Sequence, residues 1–267
     1  LFSKQGPRFT EETRAGYDLV VDSNYANPVP AEALRTQPQV EGIAPLLRGF
    51  PEWTSALRGD EKQIFPVTGF DASLLERGRP KLASFAPQFA DEAAVWQAVL
   101  TDPSLIIVSD FFLQEGGGPP EAVFKVGDKV TMFNRLTDEP RQLTIAGKME
   151  SDWTFTGAFI GADFARNFLG TDVVASRYYV KVSGAPSEVA DAIKANLLRY
   201  GVDADTFRSL VDRQLQQQQG FIRLMQGYIG LGLLIGIAGL GVVMIRAVRE
   251  RRRQIGMLRA MGFSSRI

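Results

Sequence analysis

The sequence contains no cysteine and no histidine. Without cysteine, the chain has no disulfide bond, no thiolate zinc site, no iron–sulfur cluster and no cysteine nucleophile. Without histidine, it lacks the commonest metal ligand and the commonest general base of enzymes. Only carboxylate chemistry and oxygen-ligand sites for Ca²⁺ or Mg²⁺ stay available. We therefore expect a protein that is not an enzyme and that has no catalytic, cofactor or metal site.

An excess of charge of one sign is also missing from the chain as a whole. Thirty Lys and Arg balance 30 Asp and Glu, so no basic excess indicates binding to nucleic acid. The balance hides an asymmetry, because residues 246–267 contain seven Arg and one Glu, whereas the residues before them are net acidic. The two parts of the chain are therefore expected to meet different surroundings.

One stretch, residues 224–245, carries no charged residue over 22 positions. At about 1.5 Å per residue, a helix of this length reaches roughly 33 Å, enough to cross a hydrocarbon core of about 30 Å. A whole domain precedes this stretch, which excludes a signal peptide. We predict a transmembrane helix at residues 224–245, with a buried helix of a soluble protein as the alternative.

The arginines beside this stretch predict its orientation. Arg246, Arg249 and Arg251 to Arg253 follow the apolar run, whereas Arg223 stands almost alone before it. By the positive-inside rule, the C-terminal side is cytoplasmic, and residues 1–220 lie outside the cell (plasma) membrane. Export of such a domain requires a targeting segment, so we expect a further membrane helix ahead of Leu1.

Three glycines within the predicted span suggest helix packing. Gly232 and Gly236 form a GxxxG pair, and Gly239 lies one further turn along the same face. Small residues in this pattern let a neighbouring helix approach the backbone closely. We therefore predict a packing surface at these three positions.

The region before the span reads as an α+β domain. Residue patterns predict strands at residues 17–22, 40–47, 63–70, 105–108, 125–133, 142–149, 158–160, 178–182 and 202–207, and helices at residues 30–36, 91–100, 162–168 and 186–200. The strand–helix–strand order at both ends predicts a small βαβ-type sheet from residues 1–67 and 171–207. A β-rich subdomain at residues 68–170 is expected as an insertion.

Residues 208–223 are predicted to form a stalk helix. Apolar residues follow helical spacing from Phe207, and no proline occurs between that residue and the apolar span. Five glutamines at positions 214 and 216–219 fit a solvated helix face. We expect one continuous helix from about residue 206 into the membrane, acting as a rigid mechanical link.

The basic residues 246–267 follow the span. Five Arg within eight residues are typical of a stop-transfer cluster that contacts anionic lipid. Ile255, Leu258 and Met261 then form an apolar stripe at intervals of three residues, on a short helix that Gly262 is expected to end. An exposed stripe of this kind indicates a binding partner.

Residues 250–263 read ERRRQIGMLRAMGF, a sequence that resembles the signature of the FtsX-like permease family. These proteins are the membrane subunits of ABC transporters related to MacB-type and lipoprotein-releasing exporters. Gln254 stands where a glutamate is commoner in the signature. The rest of the chain resembles the family in layout only, as a MacB-like external core domain between two membrane helices.

The resemblance implies a permease subunit whose coupling helix docks on a cytoplasmic ABC ATPase, in a homo- or heterodimer of permease halves. The residues that match the signature and would make this contact are Arg253, Ile255, Gly256, Leu258, Arg259, Met261 and Gly262. ATP-driven closure would then move the external domain for export or mechanotransmission. The sequence has no GxxxxGK[ST] motif, so the ATPase is expected to be a separate chain or subunit.

Two other functional classes share some of these features. An extracytoplasmic sensor domain of a single-span signalling receptor has the same topology, and the residues that follow the span would distinguish it from a permease. A hydrolase with paired carboxylates would use Asp110 with Glu115 or Asp128. The cargo of a permease stays open between lipid, lipoprotein, peptide and drug, and some family members transmit force without transport.

Overall fold

The computed structural model describes residues 14–56, 59–113, 124–150 and 157–261. The chain divides into two compact units, Leu1–Val211 and Asp212–Ile267. The first unit is a mixed α/β domain, and a long apolar helix follows it, as the sequence predicts.

The described strands all belong to one sheet. In chain order they are β1 (Leu19–Asp22), β2 (Val40–Gly49), β3 (Glu52–Ser55), β4 (Gly59–Ile64), β5 (Val67–Phe70), β6 (Leu82–Phe85), β7 (Leu105–Val108), β8 (Lys129–Phe133), β9 (Pro140–Met149), β10 (Ala158–Gly161), β11 (Val174–Val182) and β12 (Asp203–Thr206). The helices are α1 (Ala31–Arg35), α2 (Glu92–Thr101), α3 (Ala162–Leu169), α4 (Pro186–Asn196) and α5 (Phe207–Ala260).

One end of the sheet has the strand order β12-β1-β11-β2. β11 lies antiparallel to both β1 and β2, and β1 lies antiparallel to both β11 and β12. The segments β1–α1–β2 and β11–α4–β12 therefore each connect two parallel strands that have a third strand between them. Two such units interleave as in a split βαβ fold.

Both faces of this part of the sheet are buried. On β11, Tyr178 belongs to the core cluster beneath α1 and α4, whereas Tyr179 belongs to a second cluster on the opposite face. Successive strand residues point to opposite faces, so burial on both sides requires a continuous apolar run.

The strand pairing corrects the boundary expected between residues 67 and 68. β3 and β4 precede that boundary, yet β3 pairs with β8, well inside residues 68–170. The physical reason is Trp53, which is fully buried in a cluster with Val130 and Met132 and whose indole N–H donates to the carbonyl of Phe65 at 3.0 Å. The chain therefore leaves the βαβ-type sheet directly after β2.

Helix α5 contains 54 residues and begins where the sequence predicts. The hydroxyl of Thr206 accepts a hydrogen bond from the backbone N–H of Ser209 at 3.0 Å, which satisfies a free donor of the first turn. The ring of Phe207 packs on Tyr179 with ring centroids 5.2 Å apart. These contacts fix the start of α5 on the core of the first unit.

The expected separate coupling helix is not separate in this structure, because α5 continues from the apolar run to Ala260 without a break. Arg, Ala, Glu and Gln are strong helix formers, and they fill most of the positions between the apolar run and Gly256. Arg246 also pairs with Glu250 one turn later at 3.4 Å. Gly262, the expected helix end, lies outside the described residues.

Because Tyr17 is buried, we expect the first unit to lose stability at alkaline pH. Its side chain is 1% exposed, and its hydroxyl donates to the carbonyl of Ser73. Burial, and then the nearby Glu76 carboxylate, raise the pKa of Tyr17 from 10.0 to about 12. Above pH 10 the unfolded chain releases this proton and the folded chain keeps it, so stability is lost between about pH 10 and 12.

Between pH 9 and pH 11.5 the unfolding free energy of the unsubstituted chain is expected to fall by about 2 kcal/mol because of Tyr17, since one pKa unit corresponds to about 1.4 kcal/mol. In Tyr17→Phe, this part of the decrease should be absent. Urea unfolding at both pH values measures this decrease. Tyr25→Phe is the control, because Tyr25 is 42% exposed and its replacement should leave the decrease unchanged. An equal decrease in Tyr17→Phe and the unsubstituted chain would contradict the assignment.

Candidate functional site

Residues Leu224–Ala260 of α5 form a helix that is long and apolar enough to cross a membrane. The most apolar part has a mean hydropathy of 2.3, and none of it is buried within the part of the chain that the structure describes. Leu231, Leu234 and Ile237, for example, are all more than half exposed. A contiguous apolar surface of this size is typical of a membrane or protein contact.

Gly232, Gly236 and Gly239 lie on this helix at the predicted spacing. A Cβ atom added at any of the three would meet no atom within 4 Å in the described structure. The surface around these glycines is therefore open, as a packing surface for a second helix requires. Their role in helix packing stays a prediction.

The arginines that follow the apolar run extend along α5 into solvent. Arg251, Arg252 and Arg253 are exposed, and the Arg246–Glu250 pair is exposed too. Surface pairs of this kind contribute little to stability, at most about 1 kcal/mol. The cluster is therefore available to contact anionic groups such as lipid head groups.

The apolar stripe lies at the end of α5. The exposed fractions of Ile255, Leu258 and Met261 are 53%, 47% and 67%. At about 100° per residue, these three side chains are spread over about 120° of the helix circumference. That width matches the apolar face with which a helix commonly packs on another protein.

The two arginines expected beside the stripe take different positions. Helical geometry places Arg259 about 40° from Ile255, at the edge of the stripe, and Arg253 about 160° away from Ile255. Gly256 is helical, and an added Cβ there would meet no atom within 4 Å. Of the seven residues expected to contact the ATPase, Gly262 lies outside the described part of the chain.

The carboxylates considered for hydrolysis have structural partners. Asp110 pairs with Lys148 at 2.7 Å, and Asp128 accepts a hydrogen bond from the backbone N–H of Lys125 at 2.8 Å. Glu115 lies outside the described residues. Within the described ranges, no three His, Cys, Asp or Glu side chains come together in a group that could hold a metal ion.

A cavity of about 760 Å³ lies between the end of α2 and the start of α3. Two carboxylates that line the cavity accept hydrogen bonds from nearby backbone. Asp71 accepts one from the N–H of Ser73 at 3.0 Å, and Asp102 accepts one from the N–H of Ser104 at 2.8 Å. The cavity could not be predicted from the sequence. Its walls come from separate segments that share no motif.

A charged cluster on neighbouring strands was also not predicted. Asp22 on β1, Arg48 on β2 and Arg177 on β11 lie together because β11 pairs with both other strands. The register pairs Asp22 directly with Arg177. Long sequence separation hides such a cluster from any local pattern.

Comparison with known proteins gives matches among solved structures only. No protein-family model matches the sequence, and no curated protein matches it. The extracellular domain of the noncanonic ABC-type transporter YknZ from Gram-positive bacteria is 13% identical over 71% of this chain and 98% of that domain, with a TM-score of 0.39. The periplasmic region of MacB from Actinobacillus actinomycetemcomitans is 12% identical over 80% of this chain and 98% of that region, with a TM-score of 0.41.

Proposed function

We propose that this chain is part of the membrane permease subunit of an ABC transporter, which couples ATP hydrolysis by a separate ATPase to movement of an extracytoplasmic domain. The observation that carries this proposal is helix α5. One uninterrupted helix contains the first contacts with the α/β core, the apolar run and the residues of the permease-like signature. A continuous helix transmits displacement along its axis better than a flexible linker does.

The stripe at the end of α5 is the proposed ATPase contact. Ile255, Leu258 and Met261 supply an apolar centre, and Arg259 lies at its edge. Interfaces commonly have this composition, with an apolar core and a charged rim. Gly256 lies about 160° from Leu258 on the helix circumference, so it is not part of the stripe.

The proposed location of residues 1–220 is outside the plasma membrane, with the residues after 245 in the cytoplasm. The exposed arginines from Arg246 to Arg253 support this orientation, because basic residues are retained on the cytoplasmic side. The same arginines would contact anionic lipid. The open surface at Gly232, Gly236 and Gly239 would pack against a helix of the second permease half in a homo- or heterodimer.

Cysteine labelling tests this topology well, because the natural chain has no cysteine. Ser187 at the start of α4 and Ala260 at the end of α5 are both exposed. We expect a membrane-impermeant thiol reagent to label Ser187→Cys in intact spheroplasts and to label Ala260→Cys only after the membrane is permeabilised. Labelling of Ala260→Cys, but not of Ser187→Cys, in intact spheroplasts would refute the proposed orientation.

The second candidate function is a single-span signalling receptor, which has the same topology. The apolar stripe favours the permease, because a receptor does not need an ATPase contact directly after its membrane span. Purification of the protein with its bound partners distinguishes the two functions. Recovery of an ABC ATPase supports the permease, and recovery of a kinase or another signalling protein supports the receptor.

A further inference from the structure

Arg48 makes a longer contact with Asp22 than the other arginine of its charged cluster does. Arg177 donates two hydrogen bonds to the carboxylate of Asp22, both at 2.7 Å. The nearest carboxylate oxygen to Arg48 is also on Asp22, but at 4.0 Å, which is too long for a hydrogen bond. Within the described part of the chain, the guanidinium of Arg48 makes no hydrogen bond.

The guanidinium of Arg48 is only partly solvated. Its side chain is 32% exposed, and those of Arg177 and Asp22 are 24% and 36% exposed. Burial, and then repulsion from Arg177, lower the pKa of Arg48. Two guanidinium groups thus share one carboxylate, so the three side chains together carry one net positive charge.

The aromatic ring of Phe50 lies beside the guanidinium of Arg48. The guanidinium carbon of Arg48 is 5.9 Å from the centre of the Phe50 ring, and Phe50 is 42% exposed. A half-exposed phenylalanine can contact the apolar part of a ligand whose acid group binds the arginine. The site therefore combines an anion-binding group with an adjacent apolar surface.

We propose that Arg48 binds a ligand that carries one carboxylate, with the apolar part of that ligand against Phe50. Arginine presents its donors in a planar fork that matches the two oxygens of a carboxylate. One carboxylate would bring the charge of the cluster to zero. A doubly charged phosphate would exceed that balance and be repelled by Asp22, so the charge of the site favours the carboxylate.

The probe for this site is N-acetyl-4-fluorophenylalanine, which carries one carboxylate and one aromatic ring. Its binding to the full chain in nanodiscs of zwitterionic lipid is measured by ¹⁹F line broadening. The corresponding amide has the same ring without the charge, so it corrects for partition into lipid. We expect the acid to bind with a millimolar dissociation constant and the amide to bind at least tenfold more weakly.

The variants compare two arginines that both lie over phenylalanine rings. Arg48→Gln should raise the dissociation constant of the acid at least tenfold. Arg141→Gln should change it less than twofold, although Arg141 lies 5.8 Å from the ring of Phe164. Phe50→Ala keeps the charged cluster intact and should weaken binding severalfold, which provides a second test if Arg48→Gln disturbs folding.

Three results would overturn the proposal. The first is an unchanged dissociation constant in Arg48→Gln, and the second is binding of the amide as tight as that of the acid. The third is displacement of the probe by inorganic phosphate at a lower concentration than by acetate, which would assign the site to phosphate. Displacement by acetate at the lower concentration, together with the effect of Arg48→Gln, supports the carboxylate.

Discussion

Replacement of Leu258 by aspartate is expected to prevent the purified permease from retaining its ATPase. Leu258 lies at the middle of the stripe between Ile255 and Met261, and it is 47% exposed on α5. Removal of an apolar anchor from an interface centre commonly costs at least about 1 to 2 kcal/mol, and a buried unpaired charge adds to that cost. Because about 1.4 kcal/mol corresponds to a tenfold change in affinity, we expect a loss of more than tenfold.

The matched control is the double variant Arg251→Gln, Arg252→Gln. It removes two exposed charges from the same helix and leaves the apolar stripe intact. Exposed charges mainly affect the association rate and the salt dependence of a complex. The double variant should therefore retain the ATPase at moderate salt, although its contact with anionic lipid is weakened.

The competing explanation of the stripe is contact with the membrane surface. An amphipathic helix can lie at a bilayer interface with its apolar face among the lipids. Retention of the ATPase is measured in detergent, where the bilayer is absent, by co-elution of the two proteins. Full retention by Leu258→Asp would refute the ATPase contact and assign the stripe to lipid.

Local chemistry explains which elements could be predicted from the sequence. Asp91 precedes α2, and its carboxylate accepts a hydrogen bond from the N–H of Ala94 at 2.8 Å, as the acidic start of that segment indicates. The single strand predicted at residues 63–70 is instead divided into the end of β4 and all of β5, because Pro66 cannot donate to a strand ladder. Such signals depend on neighbours in the sequence, so they can be recognised without knowledge of the fold.

Strand pairing was harder to predict, because it depends on contacts between distant segments. β3 carries polar residues at alternate positions, and only the burial of Trp53 against β8 shows where it belongs. β6 is short and mostly exposed, with only Leu82 buried, so it has no clear strand pattern. In both strands, the tertiary context decides the structure.

The candidate sites also divide into one that local sequence predicts and one that depends on contacts between distant segments. The stripe of Ile255, Leu258 and Met261 could be predicted, because helical periodicity alone places these residues on one side of α5. Arg48 could not be assigned to a site, since its neighbours Asp22 and Arg177 come from other strands. The unsatisfied guanidinium becomes visible only when the pairing of β11 with β1 and β2 is known.

Insertion of two glycines after Gln217 is expected to uncouple the external domain from the ATPase. This position lies within α5, between its start at Phe207 and the apolar run. Each glycine costs about 1 kcal/mol relative to alanine in a helix interior. The insertion therefore disfavours a continuous helix by about 2 kcal/mol, a factor of about 30 in the equilibrium between continuous and broken helix.

The matched control is insertion of two alanines at the same position. Both insertions lengthen α5 by about 3 Å and rotate one side against the other by about 200°, so they differ only in helix stability. Stimulation of the ATPase by ligand, or transport in cells, measures the coupling. Near-ultraviolet circular dichroism should be unchanged in both variants, because the buried residues Trp53 and Trp96 report on the packing of the first unit.

A rigid link requires that the two insertions differ. If displacement is transmitted along an unbroken helix, the glycine insertion should reduce coupling severalfold more than the alanine insertion. Equal loss in both variants would mean that the rotational setting of α5, and not its stiffness, controls the ATPase. Full coupling in both would show that the two units communicate without α5 as a lever, and the mechanical role proposed for this helix would be wrong.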